Sequence, residues 1–378
     1  MSIDVKFLPK EFSEHVINLV LSARVRIVIC TLYIKNELFI NRLLGIIDKK
    51  LELEPNLNVE IFVDGWSNTE WVTDKYRNLT TKITKIKVKR FFPLSVFHAK
   101  GWVIDDELIY SSVNLTDDYF CGKEKFRQDR YYTIYNKVLC DDFVSSLNEI
   151  KVQSGKVTLN HSVCKRFIMD DSDLIGSFFG NGHDSCQSRL FNKLCKEARN
   201  NIFISTPYFN LDVKNEELLR ELIKQGVKVY VVVGGYSDRI SGWSESIISN
   251  LIKSTYMYRL YEFTNTLGNE MNNDLFLYEW KIENGSYHVK NLLIDDEVSL
   301  LTSSNLNARS HFLDLENGLI IKNNSGSGIL RNERMYILDK SIKIKSSNYW
   351  LTKIPKKYLF IIKILKAIGL YRIALKSL

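Results

Sequence analysis

The chain has 378 residues, 45% of them hydrophobic, and a formal net charge of +8. Its length predicts two domains of ordinary size, and its composition excludes a largely disordered protein. The positive charge suits an anionic partner, either a phospholipid surface or a nucleic acid. The six cysteines include no CxxC pair, which favours a reducing, cytosolic compartment over a disulfide framework.

The first half of the chain is predicted to alternate helices and strands. Apolar residues at helical spacing predict a helix over 11–24, and a near-continuous apolar run predicts a buried strand over 25–33. The further elements predicted here are a helix over 37–50 and strands over 59–64, 86–92 and 97–104.

The second half repeats this order of elements. Its predicted members are helices over 186–198 and 215–224 and strands over 201–208, 227–233, 275–281 and 288–294. An internal duplication explains the repeat, and it predicts an α/β fold with a largely parallel sheet flanked by helices in each half. We expect a first lobe over 1–152, an irregular connecting segment over 153–185 and a second lobe over 186–340.

Residues 341–378 form a basic tail, because no acidic residue follows Asp339. The pattern of apolar and basic residues in the tail predicts an amphipathic helix with a break at Gly369. Such a helix either docks on the body of the protein or lies in the surface of an anionic membrane, and the absence of acids favours the membrane. No segment is predicted to be a signal peptide or to span a membrane.

Two stretches with the pattern H-x-K-x4-D, at 98–106 and 288–296, occupy matching places in the two halves. Residues two apart on a strand project to the same face. The histidine and lysine of each stretch therefore point the same way, which predicts catalytic roles for His98, Lys100, His288 and Lys290.

Two such pairs are suited to phosphoryl transfer. A neutral imidazole can attack phosphorus while a protonated one donates to the leaving oxygen, and both states of histidine are accessible near neutral pH. Two lysines stabilise the charge on the phosphoryl oxygens, so no metal is expected. His98 is taken as the nucleophile and His288 as the general acid and base, with the reverse assignment left open.

A histidine nucleophile needs a hydrogen-bond acceptor at its other ring nitrogen. Asp129 is the predicted orienting carboxylate in the first half, and Glu316 is its equivalent in the second. Asp105 and Asp295 are predicted to be structural residues at the ends of the motif strands. The predicted phosphate-binding groups are Ser112, Asn114, Ser303, Asn305, Arg130 and Arg309, with a structural salt bridge as the alternative role of each arginine.

These motifs resemble those of the phospholipase D superfamily, whose signature is HxKx4D followed by a GSxN-type segment in each repeat. The chain departs from that signature at Ser112-Val-Asn114 and at Thr302. The segments DRYYTI, LDLEN and the basic tail add a resemblance to the bacterial type I phosphatidylserine synthases, which extends over nearly the whole chain.

The resemblance implies a two-lobed phospholipase D fold with pseudo-twofold symmetry and one site at the interface of the lobes. It also implies transfer of a phosphatidyl group from CDP-diacylglycerol to L-serine through a phosphatidyl-histidine intermediate, without metal or organic cofactor. We expect a cytoplasmic protein that is peripheral on an anionic membrane and binds no nucleic acid. The rival hypotheses are a cardiolipin synthase or phospholipase using another acceptor, a nuclease of the same superfamily, and an inactive membrane scaffold.

Overall fold

The computed structural model describes residues 2–88, 95–120, 126–153, 174–180, 186–235, 247–268, 273–322 and 328–377. Part of the strand predicted over 86–92 and most of the connecting segment lie outside these ranges. The chain divides into two compact units. Unit 1 comprises residues 1–186 together with 301–303 and 313–320, and unit 2 comprises the remainder.

In the described ranges of the first half there are nine strands and four helices. The strands are β1 Ser2–Lys6, β2 Arg26–Thr31, β3 Asn58–Asp64, β4 Ile83–Ile86, β5 Gly101–Ile104, β6 Glu107–Tyr110, β7 Phe126–Gln128, β8 Tyr131–Tyr135 and β9 Leu174–Gly180. The helices are α1 Pro9–Ser22, α2 Leu38–Leu53, α3 Glu70–Lys75 and α4 Lys137–Gln153. The strand β9 corrects the prediction that the connecting segment is irregular throughout.

The sheet of unit 1 has the strand order β1-β8-β6-β5-β2-β3-β4. Strands β2, β3 and β4 are parallel, whereas β5 pairs antiparallel with β2 and the sheet continues antiparallel to β1. The predicted parallel arrangement is thus present in one part of a mixed sheet. Burial explains the near-continuous apolar sequence of β2, in which every residue after Arg26 is buried.

Helices α1 and α2 form the hydrophobic core of unit 1 with one face of this sheet. Phe12, Val16 and Val20 of α1 lie in the same buried cluster as Ile27 and Ile29 of β2. The apolar residues of the helix are spaced at one face, and those of the strand alternate toward it. Burial of this cluster stabilises the strands at whose ends the first motif lies.

In the described ranges of the second half there are eight strands and eight helices. The strands are β10 Asn201–Thr206, β11 Lys228–Gly234, β12 Leu275–Trp280, β13 Gly285–Tyr287, β14 Asn291–Ile294, β15 Val298–Thr302, β16 Glu316–Lys322 and β17 Ser341–Ile344. The helices are α5 Cys186–Glu197, α6 Val213–Lys224, α7 Ile247–Asn265, α8 Ala308–Phe312, α9 Ile329–Asp339, α10 Asn348–Lys353, α11 Lys356–Ala367 and α12 Tyr371–Ser377.

Unit 2 repeats the pairing pattern of unit 1. Strands β10, β11 and β12 are parallel, and β14 pairs antiparallel with β10 as β5 does with β2. The α/β fold predicted for both halves is therefore confirmed. Because the pattern repeats, His288 and Lys290 directly precede β14 as His98 and Lys100 directly precede β5.

The basic tail belongs to unit 2, where it begins with β17 and α10 and ends in the two short helices α11 and α12. The chain breaks between α11 and α12 at Gly369, whose φ of 75° lies in the left-handed region. Tyr358, Ile362 and Tyr371 bury their side chains, so the predicted break and the docked arrangement are both present. Within the described ranges, no helix has the length and hydrophobicity required to cross a bilayer.

Candidate active site

The first motif lies at the carboxyl edge of the parallel strands of unit 1. Cys30, near the end of β2, pairs with Gly101 at the start of β5. The residues that precede Gly101 therefore extend past the carboxyl ends of β2 and β3, where α/β folds ordinarily bind ligands. His98 and Lys100 are placed there by this pairing.

His98 is oriented by Glu316. Its Nδ1 lies 2.8 Å from both carboxylate oxygens of Glu316. The glutamate is buried, and the Ser303 hydroxyl donates a hydrogen bond to its Oε2. Because Nδ1 is engaged in this way, the imidazole is held in one orientation with Nε2 as the nitrogen that can react.

Backbone hydrogen bonds bring Glu316 to His98. The His98 amide donates to the Leu315 carbonyl at 2.8 Å, and the Leu315 amide donates to the Val96 carbonyl at 2.9 Å. The Val96 amide also donates to the Asp314 carboxylate at 3.1 Å. Residues 313–320 thus run beside 96–98 within unit 1, although they follow the second motif in the sequence.

This arrangement corrects the predicted pairing of histidines with carboxylates. The sequence placed Asp129 with His98 and Glu316 with His288, because each lies at a similar distance after its own motif. The structure instead places Glu316 at Nδ1 of His98. The prediction was wrong because position in a repeat does not determine which strand a returning segment joins.

Lys100 is fully buried and held through its backbone by Asn317. The Asn317 side chain accepts from the Lys100 amide at 2.9 Å and donates to the Lys100 carbonyl at 2.7 Å. The Tyr110 hydroxyl donates to the Asn317 carbonyl at 2.9 Å. The Lys100 ammonium donates to the His98 carbonyl at 2.7 Å. Sequence reasoning missed Asn317, although the LDLEN segment that contains it was noted.

Burial and charge set the protonation states of this cluster. Burial raises the pKa of the Glu316 carboxyl, but the charge and hydrogen bond of His98, with Lys100 and Ser303, together lower it to about 2. Burial lowers the pKa of Lys100 to about 8, against the opposing effect of Glu316. Near neutral pH the cluster therefore contains a carboxylate and an ammonium.

Asp129 and Arg130 form a second buried group in unit 1. The Ser112 hydroxyl donates to Asp129 Oδ2 at 2.6 Å, and the Arg130 amide donates to Asp129 Oδ1 at 2.9 Å. The Arg130 guanidinium lies 3.3 Å from the same oxygen. The ion pair between the two residues matches the structural alternative for Arg130.

The hydroxyls of Ser112 and Ser303 both donate hydrogen bonds to buried carboxylates. A hydroxyl has one hydrogen to donate, and the hydrogens of Ser112 and Ser303 go to Asp129 and Glu316. The predicted role of both serines in phosphate binding stays a prediction. The side-chain oxygens of Asn114 and Asn305 are buried and have no hydrogen-bond partner in the described ranges, so these carboxamides retain capacity for a ligand.

The second motif lies at the equivalent strand edge of unit 2. The Lys290 ammonium lies 3.1 Å from Nε2 and 3.3 Å from Nδ1 of His288. Beside them, the Ser205 hydroxyl is hydrogen-bonded to the Tyr287 hydroxyl and donates to the Val289 carbonyl at 3.2 Å. Arg309 is half-buried in α8, and its predicted role in phosphate binding stays a prediction.

The aspartates that end the two motifs anchor the following turns. Asp105 has a φ of 50° and accepts the backbone amides of residues 24–26. Asp295 has a φ of 53° and accepts those of residues 199–201. In both units a carboxylate thus ties the motif strand to the start of the neighbouring strand, away from the histidine.

The chain is similar in sequence to several known proteins. A family model described as "Cardiolipin synthase, PLD-like domain" matches residues 192–334. The CDP-diacylglycerol–serine O-phosphatidyltransferase of Escherichia coli is 26% identical over 84% of this chain and 81% of its own length. The enzyme of the same name from Haemophilus influenzae is 23% identical over 82% of this chain and 79% of its own length.

Other relatives match less of the chain. A cardiolipin synthase from Bacillus anthracis is 24% identical over 58% of this chain and 42% of its own length. The crystal structure of Haemophilus influenzae phosphatidylserine synthase superposes with a TM-score of 0.86 at 21% identity, covering all of this chain and 95% of that one. The resemblance to phosphatidylserine synthases with a phospholipase D fold is therefore confirmed.

Proposed function

We infer that this protein is a phosphatidylserine synthase of the phospholipase D type, which transfers the phosphatidyl group of CDP-diacylglycerol to L-serine and releases CMP. The similarity to serine O-phosphatidyltransferases over four-fifths of the chain carries this conclusion. The two HxK motifs supply the groups that such a transfer needs. The enzyme belongs to phospholipid biosynthesis.

The geometry of His98 supports its assignment as the nucleophile. Glu316 occupies Nδ1, so Nε2 attacks the phosphorus atom that carries the diacylglycerol. The bond between this phosphorus and the CMP oxygen then breaks, and a phosphatidyl-histidine forms. Lys100 is a charged neighbour of His98 and stabilises the negative charge that collects on the phosphoryl oxygens.

His288 is assigned the transfer of protons. It donates a proton to the departing CMP oxygen and, once neutral, accepts the proton of the serine hydroxyl as that oxygen attacks phosphorus. The bond from phosphorus to His98 breaks in this second step, which restores both histidines. The Lys290 ammonium lies next to His288, where it can stabilise the negative charge on the phosphoryl oxygens as Lys100 does beside His98.

A cardiolipin synthase or phospholipase would use the same intermediate with another acceptor. The family model that matches the second half, and the relatives named cardiolipin synthase, are the observations that favour this second candidate. Their shorter coverage of the chain makes it the weaker one. The acceptor is therefore the property that the decisive assay must measure.

We expect the purified protein to convert CDP-diacylglycerol and labelled L-serine in mixed micelles, with chelator present, into phosphatidylserine and CMP. Thin-layer chromatography of the lipid product measures the reaction. A protein in which His98→Ala or His288→Ala is introduced should make no product. Product from glycerol, phosphatidylglycerol or water, with none from serine, would assign the chain to the alternative.

The tail supports a peripheral location on the cytoplasmic face of the membrane. One side of α11 and α12 packs on unit 2, while Phe360 and Ile373 are each 65% exposed and Ile364 and Ile368 are exposed as well. The sequence of the tail contains lysines and arginines and no acidic residue. An exposed apolar surface with basic residues suits insertion among anionic headgroups.

A further inference from the structure

Trp66 differs from the other tryptophans of the described ranges in its exposure. Trp102, Trp280 and Trp350 are buried, and Trp71 packs against the core of unit 1. Trp66 is 79% exposed. A single large aromatic ring left in water beside a reaction centre suggests a ligand that stacks on it.

A shared carboxylate places Trp66 next to the strand of His98. Asp64, the last residue of β3, accepts the Trp66 amide at 2.9 Å on one oxygen and the Phe97 amide at 2.6 Å on the other. Phe97 immediately precedes His98. Trp66 therefore lies at the same carboxyl edge of the parallel strands as the catalytic histidine.

The turn that carries Trp66 is tightly held. The Gly65 amide donates to the Ile86 carbonyl at 2.8 Å, and the Ser67 amide donates to the Asp64 carbonyl at 2.9 Å. A Cβ atom at Gly65 would lie 2.6 Å from the side chain of Lys87 and 3.2 Å from the Ile86 carbonyl. Because the backbone on both sides is fixed, the indole is presented by a preorganised turn, which reduces the entropy lost on binding.

Ser67 provides a second indication of a ligand. The residue is 8% exposed, and its buried hydroxyl has no hydrogen-bond partner in the part of the chain that the structure describes. Buried hydroxyls are ordinarily hydrogen-bonded, so an exception calls for an explanation. A hydroxyl can both donate and accept, which suits the mixed polar edge of a nucleobase.

We propose that Trp66 and Ser67 form the subsite for the cytosine base of the donor, with the base stacked on the Trp66 indole and its polar edge hydrogen-bonded to the Ser67 hydroxyl. The inference rests on the proposed function, since that reaction releases CMP beside His98. A membrane-inserting residue is the competing explanation. The exposed polar neighbours Asn68 and Glu70 favour a nucleobase, because lipid-facing segments carry apolar and basic residues together.

The test measures CMP binding to the purified full-length protein without lipid, by titration calorimetry, with ribose 5-phosphate as the probe that lacks a base. Trp66→Leu should weaken CMP binding by roughly 5- to 100-fold, the range expected for loss of one stacked base. Trp66→Phe should retain most of the affinity, and binding of ribose 5-phosphate should be unchanged in both variants. Trp71→Phe is the matched control and should bind CMP as the wild type does.

Steady-state kinetics give an independent reading of the same subsite. Trp66→Leu should raise KM for CDP-diacylglycerol and leave KM for L-serine unchanged, and Ser67→Ala should raise the former by a smaller factor. Equal CMP affinities in the wild type and Trp66→Leu would overturn the proposal. So would reduced sedimentation of Trp66→Leu with anionic vesicles at unchanged CMP affinity, which would identify a lipid contact.

The outcomes separate this subsite from the proposed reaction. If the wild type forms phosphatidylserine while Trp66→Leu keeps the wild-type CMP affinity, the subsite is wrong and the reaction stands. If the wild type forms no phosphatidylserine but Trp66→Leu loses CMP binding, the reaction is wrong and the nucleotide subsite stands.

Discussion

At the scale of single residues, the active site depends on which carboxylate holds each histidine. Glu316 holds Nδ1 of His98, and Ser303 in turn holds Glu316. Such a buried acceptor fixes the tautomer of the imidazole and stabilises the cation that forms when it is protonated. The reactivity of His98 is therefore tied to a residue 218 positions later in the chain.

Glu316→Gln should lower kcat by at least about 100-fold with little change in KM, because the amide keeps the shape of the carboxylate but not its charge. Proton NMR offers a direct check, since the downfield signal of the His98 Nδ1 proton should disappear in this variant. Asp129→Asn is the matched control and should retain that signal. Loss of the signal in Asp129→Asn alone would restore the pairing predicted from the sequence.

Lys100 should limit activity at alkaline pH. Burial lowers its pKa to about 8, so its ammonium is lost as the pH rises through that value, well below the ordinary pKa of a lysine. The rate of the initial CMP burst, measured without serine, should fall about tenfold per pH unit above about pH 8. A burst that is constant to pH 10 would show that the charge of Lys100 is not required.

At the scale of elements, the carboxylates that end each motif hold adjacent strands in register. Asp105 adopts a φ that favours Asp and Asn over most residues, and its side chain satisfies the amides that begin β2. The same device recurs at Asp295. These turns thus stabilise the sheet from the end opposite to the histidines.

Asp105→Ala should lower the free energy of unfolding by about 2 kcal/mol, because three amides lose a charged acceptor. Burial raises the pKa of Asp105, but the amides of residues 24–26 lower it on balance. The stabilisation is therefore full above pH 3.8 and should be lost as the pH falls through the lower pKa of the folded protein. Denaturant unfolding at pH 7 and pH 3 measures it, with the partly exposed Asp106→Ala as the control. Equal losses in the two variants would refute the anchoring role.

The elements themselves were largely predictable from the sequence. A near-continuous apolar run identified β2, and a glycine among helix formers identified the break at Gly369. The strand over 174–180 was missed because its Gly-rich sequence is typical of turns. The partner of Glu316 was missed for another reason, since it depends on a tertiary pairing with residues 96–98 that no local pattern encodes.

At the scale of the whole molecule, the tail is the proposed contact with the membrane surface. Lys366 forms an ion pair with Glu262, and the Asn210 side chain donates to the Leu375 carbonyl at 2.8 Å. The tail is thus part of the folded body and also carries an exposed apolar surface. Complete removal of the tail would disturb both properties, so point substitutions are the sharper test.

Phe360→Glu combined with Ile373→Glu should reduce sedimentation with anionic vesicles by about tenfold or more, because two exposed apolar contacts are replaced by charges that anionic lipid repels. Val138→Glu, at an exposed site in α4, is the control and should sediment as the wild type does. Thermal unfolding of all three proteins checks that the fold is kept. Wild-type sedimentation of the double variant would leave the tail as a docked helix without a lipid partner.

Residues 313–320 belong to unit 1 although they follow the second motif in the sequence, and this constrains how the two halves can evolve. A fragment that ends at residue 186 would keep His98 and Lys100 but lack Glu316, Ser303 and Asn317. A duplicated gene with this architecture cannot be shortened to one copy without losing the residues that hold His98 and Lys100 in place. Substitutions at 303, 316 and 317 should therefore show strong epistasis with those at 98 and 100, so that the two repeats evolve as a single genetic unit.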